Sequence, residues 1–449
     1  MPVKIGFSDD PRLVAYQVLW EVQRGKRPEE ALSARWALLN GRDRALASAL
    51  VYDTVRNRSR LDALINLKVS FRTDPKVRLV LQLGLVQLFL FNRVPQFVVV
   101  SQTVELAKKV VPGRHKLVNA VLRSWTREKE TAPVWPMEPA PPGATAVERL
   151  AVFYSHPVWL VEKMVASLGF RAARALAAAN NVPVPPTIRI NPLKTTREMV
   201  ADLLPFSTKP TPWSPWGLVP ESSAGPPENW PGYAEGLWAI QDEASQILGL
   251  LVGEPKTILD ACAGLGGKSL AVAALSPEAE LICVDRNSAA LEALKQEAQR
   301  LGLPKMPTVA AIELNDPAQA LPGGPFDLVV LDAPCSGLGV IRRRPDIKWS
   351  RKPGDISVLA ETQLKLLFRS ADLVAAGGRL IYCVCTTTDE EGPEVLEQFF
   401  KKRSDFLPLS MERLEPALKK LFHPPASLRL FPHLHGTDGF FYGLAEKKS

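Results

Sequence analysis

Residues 257–285 read TILDACAGLGGKSLAVAALSPEAELICVD, with two short apolar runs on either side of a glycine-rich turn. Similar apolar runs recur further along the chain, and helical stretches lie between them, the clearest at Ser288–Leu301. Short runs rich in β-branched residues that alternate with helices predict a doubly wound, mostly parallel sheet. The predicted strands are Thr257–Cys262, Glu280–Asp285, Thr308–Glu313, Asp327–Asp332 and Arg379–Cys385, with a late strand at Gly439–Leu444.

The glycine-rich turn after the first predicted strand allows the backbone to approach a ligand, and the helix that follows favours a negative group at its start. A Walker phosphate loop is excluded, because the position five residues before Gly267 is Cys262 rather than glycine. A dinucleotide fingerprint, G-x-G-x-x-G, is not met either, because Gly264-x-Gly266-Gly267 lacks the last glycine at the required spacing. The remaining interpretation is the S-adenosylmethionine site of class I methyltransferases. The predicted cofactor-binding residues of the turn are Cys262, Ala263, Gly264, Leu265, Gly266, Gly267 and Lys268.

Acidic residues follow the second and third predicted strands. Asp285 ends the second strand, where a carboxylate can accept hydrogen bonds from both hydroxyls of a ribose. The alternative is that Asp285 caps the next helix, as the following Asn287 can also do. We expect Glu313, at the end of the third strand, to meet the adenine edge of the cofactor, with Asp316 as its rival.

Two cysteines follow neighbouring predicted strands. Cys335 lies in Leu331-Asp332-Ala333-Pro334-Cys335-Ser336-Gly337, and Cys385 follows the apolar run that begins at Leu380. If both strands are parallel and buried, both thiols reach the same edge of the sheet. A thiolate is a strong carbon nucleophile, and a second thiol can handle a proton. Few reactions in a reduced cytosolic protein need such a pair, and one of them is methyl transfer to carbon 5 of a pyrimidine.

The chain has five cysteines, an odd number, and all lie between residues 262 and 385. This distribution predicts free thiols and a reducing, cytoplasmic compartment. Cys262 and Cys283 are interpreted as small buried hydrophobic residues. Cys383 points to the same side of its strand as Cys385 and is a rival nucleophile. Zinc binding by Cys335, Cys383 and Cys385 is disfavoured, because no C-x-x-C pair or His-rich run accompanies them, and we predict no metal.

The length of 449 residues predicts two or three domains. Residues 1–130 contain 23 Lys and Arg against 12 Asp and Glu, although the whole chain carries a net charge of only +8. A basic N-terminal third favours a polyanion-binding module, the alternative being a solvated basic helical surface. Apolar residues at helical spacing, such as Ala15, Val18 and Leu19, predict an all-helical region there. The predicted boundaries are 1–130 for the helical domain, 131–147 for a Pro-rich linker, 148–235 for a small α+β extension and 236–449 for the α/β domain.

The longest apolar run, Leu79–Phe91, is interrupted by Gln82, Gly84 and Gln87. It is too short to cross a bilayer and predicts a buried helix. No charged, apolar and small-residue leader is visible at the N-terminus, so we expect no secretory signal. These features predict a soluble protein without a membrane partner, and nothing in the sequence requires more than a monomer.

Together these motifs resemble the Sun (RsmB-type) family of RNA cytosine-5 methyltransferases. The resemblance is carried by Asp332 to Gly337, by Val340 to Trp349, by Asp438 to Phe441 and by the glycine-rich turn. Residues 118–123, Val-Asn-Ala-Val-Leu-Arg, resemble the helical antitermination factor NusB. The resemblance implies a NusB-like RNA-binding domain, an RNA-binding extension and a Rossmann-like methyltransferase domain with a mostly parallel seven-stranded sheet. It also implies S-adenosylmethionine as the cofactor and 16S rRNA, or a small-subunit precursor, as the substrate.

The resemblance also implies roles for individual residues. Cys385 is expected to attack carbon 6 of cytosine, and Cys335 to serve the later removal of the proton from carbon 5. Asp332 is expected to bind the N3–C4 edge of the base and to contribute to the cofactor site. Gly264-Leu265 stand where the family usually has Ala-Pro, and Gly392 stands where it usually has Asn.

The target base must leave its stack to reach both thiols, which predicts base flipping or an unpaired loop. Basic residues near the Cys335 turn and in the middle region are candidates for phosphate contact, the alternative being a solvated basic turn. They are Arg342, Arg343, Arg344, Lys348, Arg189 and Lys194. Two other functions remain open from the sequence. One is an antitermination-like RNA-binding module on a methyltransferase scaffold. The other is a DNA methyltransferase. It is disfavoured because proteins of that class are expected to have a single nucleophilic cysteine, in a Pro-Cys pair, whereas this chain has both thiols.

Overall fold

A computed structural model of the protein describes residues 10–131, 143–222, 225–316, 318–410, 412 and 414–449. The chain forms two compact units. The first contains the chain up to Asn181 together with Arg344–Ser350, and the second contains Val182–Arg343 and Arg351–Ser449. In the described residues no helix is both long enough and apolar enough to cross a membrane.

The first unit is helical, as the spacing of apolar residues predicts. Its helices are α1 Pro11–Val22, α2 Pro28–Ser33, α3 Gly41–Arg56, α4 Arg58–Asn66, α5 Pro75–Leu90, α6 Gln96–Val110, α7 His115–Thr131, α8 Ala146–Phe153 and α9 Val158–Ala179. Helix α5 is buried along almost its whole length, which confirms the buried helix predicted from Leu79–Phe91. Asp10 caps α1 by accepting a hydrogen bond from the backbone of Arg12, and Asp74 caps α5 in the same way through Lys76. Helix α9 bends at Gly169, whose φ is 75°.

Residues 344–350 are part of the first unit, although both flanking segments belong to the second. The ammonium of Lys348 is fully buried and donates to Arg56 O at 2.9 Å, Ser155 O at 2.7 Å and Asn181 Oδ1 at 3.0 Å. The indole of Trp349 donates to a backbone carbonyl of α3 at 2.8 Å. Burial and then the charge of Arg56 hold the pKa of Lys348 well below its ordinary value. These bonds tie the short helix α14, Ile347–Ser350, into the helical unit.

The second unit begins with a small antiparallel sheet. Its elements are β1 Ile188–Ile190, α10 Arg197–Leu203, β2 Thr208–Pro210, β3 Gly217–Pro220 and β4 Trp238–Ile240, in the strand order β2-β3-β1-β4. Its core includes Trp230 and Trp238. The division between the units, after Asn181, falls inside the extension predicted for residues 148–235, because helices α8 and α9 lie with the first unit and the strands with the second. Most of the predicted linker, residues 132–142, lies outside the described residues.

The larger sheet of the second unit has nine strands in the described part of the chain. Its elements are α11 Glu243–Gln246, β5 Thr257–Asp260, α12 Gly267–Leu275, β6 Glu280–Asp285, α13 Ser288–Leu301, β7 Thr308–Ala311, β8 Phe326–Asp332, α15 Pro353–Asp372, β9 Val374–Val384, α16 Pro393–Lys402, β10 Phe406–Pro408, β11 Phe422–His423, β12 Ser427–Leu430, α17 Pro432–His435 and β13 Phe440–Lys447.

Five strands, β7-β6-β5-β8-β9, are parallel, and β13, β12 and β11 continue the sheet beyond β9 in antiparallel pairings. The strand order reverses at β5, which pairs with β6 on one side and β8 on the other. Such a reversal opens a crevice at the carboxyl ends of the strands, where ligands bind in folds of this type.

The parallel strands and the late strand β13 agree with the sequence prediction. The sheet nevertheless has nine strands rather than seven, because β10 and β11 add pairings of three and two residues. Strands this short carry too few residues for their alternation to be recognised in the sequence.

Candidate active site

The two cysteines singled out in the sequence meet at the carboxyl edge of the sheet. Strands β8 and β9 are parallel neighbours, with Asp332 opposite Cys383. Cys335 lies three residues beyond the end of β8, and Cys385 directly follows β9. Their sulfur atoms are 3.2 Å apart, and both residues are half-buried free thiols. One small planar substrate can therefore meet both sulfur atoms.

The pKa of Cys335 lies well above its ordinary value. The largest cause is the hydrogen bond with Cys385, followed by burial and by the charges of Cys385, Glu391 and Asp332. Cys335 therefore keeps its proton while Cys385 is beside it. Either thiol can donate the hydrogen bond that joins the two sulfur atoms.

Cys383 lies on the same side of β9 as Cys385 but is fully buried. Its thiol faces Asp332 Oδ1 at 3.8 Å, and burial, then the charge of Asp332, raise its pKa well above the ordinary value. Cys283 is also fully buried, and burial raises the pKa of the half-buried Cys262. These three thiols are less suited to attack a substrate than Cys385. In the part of the chain that the structure describes, no group of three His, Cys, Asp or Glu side chains is placed to hold a metal ion.

Lys268, at the start of α12, pairs with Asp332, at the end of β8. Its ammonium lies 2.5 Å from Asp332 Oδ2 and 5.0 Å from the centre of the Phe440 ring. Burial is the largest single effect and lowers the pKa of Lys268. The charge of Asp332, its hydrogen bond and the charges of Cys383 and Cys385 together outweigh burial, so the pKa is raised. The lysine therefore stays charged and holds the carboxylate beside the two thiols.

The glycine-rich turn links β5 to α12. Gly264 and Gly266 have φ values of 51° and 83°, the left-handed region that glycine adopts without strain. A Cβ on Gly266 would lie 2.4 Å from Leu294 Cγ, so this glycine permits close packing of α13. A Cβ on Gly264 would meet no atom within 4 Å, which leaves open space over the turn.

The acidic residues predicted to bind the cofactor lie near this turn. Asp285 Oδ2 accepts the backbone N–H of Gly264 at 2.9 Å, and its Oδ1 accepts that of Asn287 at 2.8 Å. Asn287, not Asp285, provides the side-chain cap of α13. These two bonds fix the carboxylate of Asp285 at the rim of the turn, and its contact with a ribose stays a prediction.

Glu313 and Asp316 differ in their surroundings. The carboxylate of Asp316 accepts hydrogen bonds from the backbone of Ala318 at 3.0 Å and from the amide of Gln319 at 2.9 Å. The side chain of Glu313 is 45% exposed and lies 3.9 Å from Arg286. Glu313 therefore remains the better candidate for contact with the adenine, and this role stays a prediction.

The basic residues predicted to bind phosphate have protein partners. Arg342 Nε donates to Asp438 Oδ1 at 2.5 Å, and Arg343 donates to both Asp438 and Asp242. Within the first unit, Lys348 is fully buried and Arg344 lies 3.1 Å from Glu29. These partners assign the four side chains a structural role. Contact with RNA at these positions stays a prediction.

In the small sheet, Arg189 is buried and supports the glycine-rich turn. Its Nη1 donates to Gln241 Oε1 at 2.8 Å and to Gly267 O at 2.7 Å. Burial lowers the pKa of Arg189 to about 10, so the side chain remains a cation. Lys194 donates to the backbone carbonyls of Glu235 and Arg300 at 2.8 and 3.2 Å. RNA contact by Arg189 and Lys194 likewise stays a prediction.

Glu391 was not predicted from the sequence to belong to the site. This carboxylate is fully buried and accepts hydrogen bonds from Ser336 and Thr386, which follow the two cysteines directly. An acidic pair, Glu390-Glu391, was the only signal in the sequence, and it does not show which acid is buried or what it binds.

Comparison with known proteins identifies three segments. The model for 16S rRNA methyltransferase RsmB/F matches residues 248–445, the NusB family model matches residues 9–127, and the model for the ferredoxin-like domain of RsmF/B-like methyltransferases matches residues 156–224. A probable ribosomal RNA small subunit methyltransferase B from Bacillus subtilis is 34% identical over 430 residues, which cover 91% of this chain and 92% of that protein. The chain belongs to the 16S rRNA methyltransferase RsmB/F family.

Other relatives agree with the assignment to the RsmB/F family. Ribosomal RNA small subunit methyltransferase B from Pseudomonas syringae is 32% identical, with 96% of each chain covered. The crystal structure of a methyltransferase homolog protein from Pyrococcus horikoshii is 24% identical and has a TM-score of 0.55, covering 68% of this chain and 99% of that one. This structural likeness concerns the fold alone.

RsmB/F enzymes are RNA methyltransferases that depend on S-adenosylmethionine. The residues of this chain fit that cofactor. No atom lies within 4 Å of the Cβ position of Gly264, and the helix N-terminus after Gly266 favours a carboxylate. The carboxylates of Asp285 and Glu313 are acceptors suited to ribose hydroxyls and to the amino group of adenine.

Proposed function

We propose that this RsmB/F methyltransferase forms 5-methylcytosine in small-subunit ribosomal RNA, through a covalent bond between Cys385 Sγ and carbon 6 of the target cytosine. The observation that carries the proposal is the 3.2 Å separation of the sulfur atoms of Cys335 and Cys385 at the edge of the sheet. A methyltransferase that acts on a ring nitrogen or on a ribose hydroxyl has no need for two thiols in contact.

Carbon 5 of cytosine is too weak a nucleophile to attack a methyl group unaided. The thiolate of Cys385 donates an electron pair to carbon 6, and the electrons of the 5,6 double bond make carbon 5 enamine-like. Asp332, which Lys268 holds at the same edge, accepts hydrogen bonds from the 4-amino group and from N3, once N3 has taken a proton from solvent as the sulfur adds. Cys383 is buried and is not assigned a step.

When bound, S-adenosylmethionine supplies an electrophilic methyl group on a sulfonium. Asp285, Glu313 and the backbone of the glycine-rich turn would hold it, at the end of the sheet where Lys268 contacts Asp332. The same edge of the sheet thus presents the cofactor-binding residues and both thiols.

Cys335 removes the proton left on carbon 5. While Cys385 is free, its hydrogen bond and charge raise the pKa of Cys335. Once Cys385 is bonded to carbon, its sulfur carries no charge, so Cys335 loses its proton to solvent more readily. The Cys335 thiolate then takes the proton from carbon 5, and the electron pair of that C–H bond re-forms the double bond and expels Cys385 as a thiolate.

The substrate class follows from the relatives, which are named small-subunit ribosomal RNA methyltransferases. A base that meets two half-buried thiols must leave its stack, so the target cytosine is unpaired or flipped out. We expect the enzyme to act as a monomer in the cytoplasm, on 16S rRNA or a precursor of the small subunit.

The test uses two single variants with in vitro transcribed 16S rRNA and S-adenosylmethionine. We expect Cys385→Ala to lose 5-methylcytosine formation while it still binds the cofactor in calorimetry. We expect Cys335→Ala to accumulate a protein–RNA adduct that survives a denaturing gel. Methylation by the Cys385→Ala variant, or an adduct of equal yield in both variants, would refute the mechanism.

A further inference from the structure

The sheet does not by itself align the two cysteines. The β8–β9 ladder ends with the pair Asp332 and Cys383, before the chain reaches Cys335 or Cys385. The next backbone bonds join Ala333 N to Cys383 O and Gly339 N to Cys385 O, both at 3.0 Å. Residues 334–338, which include Cys335, form a loop between these two bonds. Side-chain contacts therefore help to fix the position of Cys335 relative to Cys385 and the orientation of its side chain.

Glu391 makes such contacts. Its Oε1 accepts the backbone N–H of Ser336 at 2.7 Å, and its Oε2 accepts the hydroxyl groups of Ser336 at 2.5 Å and Thr386 at 3.0 Å. Ser336 directly follows Cys335, and Thr386 directly follows Cys385. The hydroxyl groups of Ser336 and Thr386 are also 3.1 Å apart. One carboxylate thus holds the residues next to both sulfur atoms.

Further bonds hold the carboxylate and the loop. Glu391 also accepts Gln363 Nε2 at 3.1 Å and the hydroxyl of Thr388 at 3.0 Å, so five hydrogen bonds converge on it. Gln363 Nε2 also donates to Pro334 O at 2.9 Å, and Arg351 donates to the carbonyls of Cys335 and Ser336. Buried carboxylates with several donors are held rigidly, because each lost bond would leave a buried polar group unpaired.

We propose that Glu391 is a positioning residue that sets the separation of the Cys335 and Cys385 sulfur atoms. The inference rests on the proposed function, in which both sulfur atoms act on one ring. Glu391 does not touch the ring. It acts through Ser336 and Thr386, and a displacement of about 1 Å at a reacting group can cost about 100-fold in rate.

The test measures the sulfur separation without using the methylation reaction. Diamide, an azo oxidant, takes two electrons and two protons from a pair of thiols and leaves a disulfide and a hydrazine. The disulfide requires the two sulfur atoms to reach bonding geometry, so its rate reports their approach. Mass spectrometry of the Cys335–Cys385 peptide pair follows the reaction in the full-length enzyme.

Glu391→Gln keeps the shape of the side chain but replaces one accepting oxygen by a donor. We expect this variant to form the disulfide about tenfold more slowly than the wild type, and to lose about 10- to 100-fold in kcat with little change in KM for RNA. Glu397→Gln is the matched control, because the side chain of Glu397 is 65% exposed and its carboxylate lies 2.6 Å from the ammonium of Lys401. It should oxidise at the wild-type rate.

The proposal is overturned if Glu391→Gln oxidises at the wild-type rate and keeps the wild-type kcat. If Glu391→Gln does not fold, Thr386→Val, which removes one donor at similar size, is subject to the same two outcomes. The disulfide rate is independent of methylation. If the prediction for Glu391→Gln fails, the cysteine mechanism still stands. If the prediction for Cys385→Ala fails, the disulfide measurement still tests the role of Glu391.

Discussion

The ammonium of Lys268 lies 2.5 Å from Asp332 Oδ2, and this pair joins the glycine-rich turn to the edge that bears the two cysteines. Lys268 is the first residue after Gly267, where α12 begins, and Asp332 ends β8. Burial lowers the pKa of Lys268, but Asp332, through its charge and hydrogen bond, and the charges of Cys383 and Cys385 together raise it. An ion pair therefore links the glycine-rich turn to the edge that bears the thiols, in addition to the sheet.

Asp332→Asn should destabilise the protein at neutral pH. Without the carboxylate, burial dominates and the pKa of Lys268 falls below its unfolded value, so the folded variant holds an unfavourable buried charge. Because both side chains are partly exposed, we expect a loss of about 1–3 kcal/mol in the free energy of unfolding at pH 7. The loss should shrink above about pH 10, where the lysine becomes neutral.

Urea unfolding at pH 7 and at pH 10.5 measures this difference. Asp405→Asn is the control, because Asp405 pairs with Arg403 on the surface and its loss should cost less than about 1 kcal/mol. Equal losses in the two variants, or a loss for Asp332→Asn that grows with pH, would contradict the assignment.

The reactivity of Cys335 should depend on Cys385. Cys385 is the largest cause of the raised pKa of Cys335, so Cys385→Ala should lower that pKa. Labelling of Cys335 by iodoacetamide, followed peptide by peptide, should begin at a lower pH in the variant than in the wild type. Cys383→Ala removes a buried thiol that has no bond to Cys335 and should leave the profile unchanged. If the pH dependence of Cys335 labelling is unchanged in Cys385→Ala, the proposal that Cys385 raises the pKa of Cys335 is wrong.

Asp260 should oppose folding once it ionises. Burial raises its pKa from 3.8 to about 6, although Ser269 donates to it at 2.5 Å. The folded state therefore binds the proton more tightly than the unfolded state, and stability falls as pH rises between about 4 and 6. Asp260→Asn lacks this penalty. Relative to the wild type, it should gain about 2–3 kcal/mol in the free energy of unfolding between pH 4 and pH 7.

Asp327 should show the opposite trend when the free energy of unfolding is measured against pH. Its Oδ2 accepts the backbone N–H groups of Lys256 and Thr257, and these bonds outweigh burial and lower its pKa. Asp327→Asn should therefore lose stability relative to the wild type as pH rises through about 4. Parallel pH profiles for the Asp260 and Asp327 variants would contradict both assignments.

The open space over Gly264 should be needed for the cofactor. Gly264→Leu places a side chain in that space, and we expect the Kd for S-adenosylmethionine to rise at least about tenfold, equivalent to about 1.4 kcal/mol. Gly113→Leu is the control, because Gly113 also has a positive φ of 81° and no atom within 4 Å of its Cβ position. Calorimetry that finds equal affinities in the two variants would remove the turn from the cofactor site.

The sequence predicted the parallel part of the sheet well, because each buried strand is a short apolar run that ends in a polar residue. Asp260, Asp285 and Asp332 mark three of these ends, and the parallel order places them at one edge. The convergence of Cys335 and Cys385 follows from the same pattern. The short strands β10 and β11 were missed because two or three residues carry no readable alternation.

The contacts that hold the site could not be predicted, since they join residues far apart in the chain. Glu391 binds Ser336 across 55 residues, and Arg342 binds Asp438 across 96. A basic run such as Arg342-Arg343-Arg344 has the same composition whether it faces solvent, RNA or buried carboxylates. Only the fold shows that Asp242 and Asp438 lie against the first two arginines.

The proposed mechanism requires that one identified sulfur atom, Cys385 Sγ, bonds to the target base. The most direct measurement is tandem mass spectrometry of the adduct that Cys335→Ala forms with its ribosomal RNA, after digestion of both protein and RNA. We predict a methylated cytidine nucleotide attached to the peptide that contains Cys385, at that residue and not at Cys383. A nucleotide attached to Cys383 or Cys262, or no covalent nucleotide in a variant that still binds RNA and cofactor, would refute the covalent mechanism through Cys385.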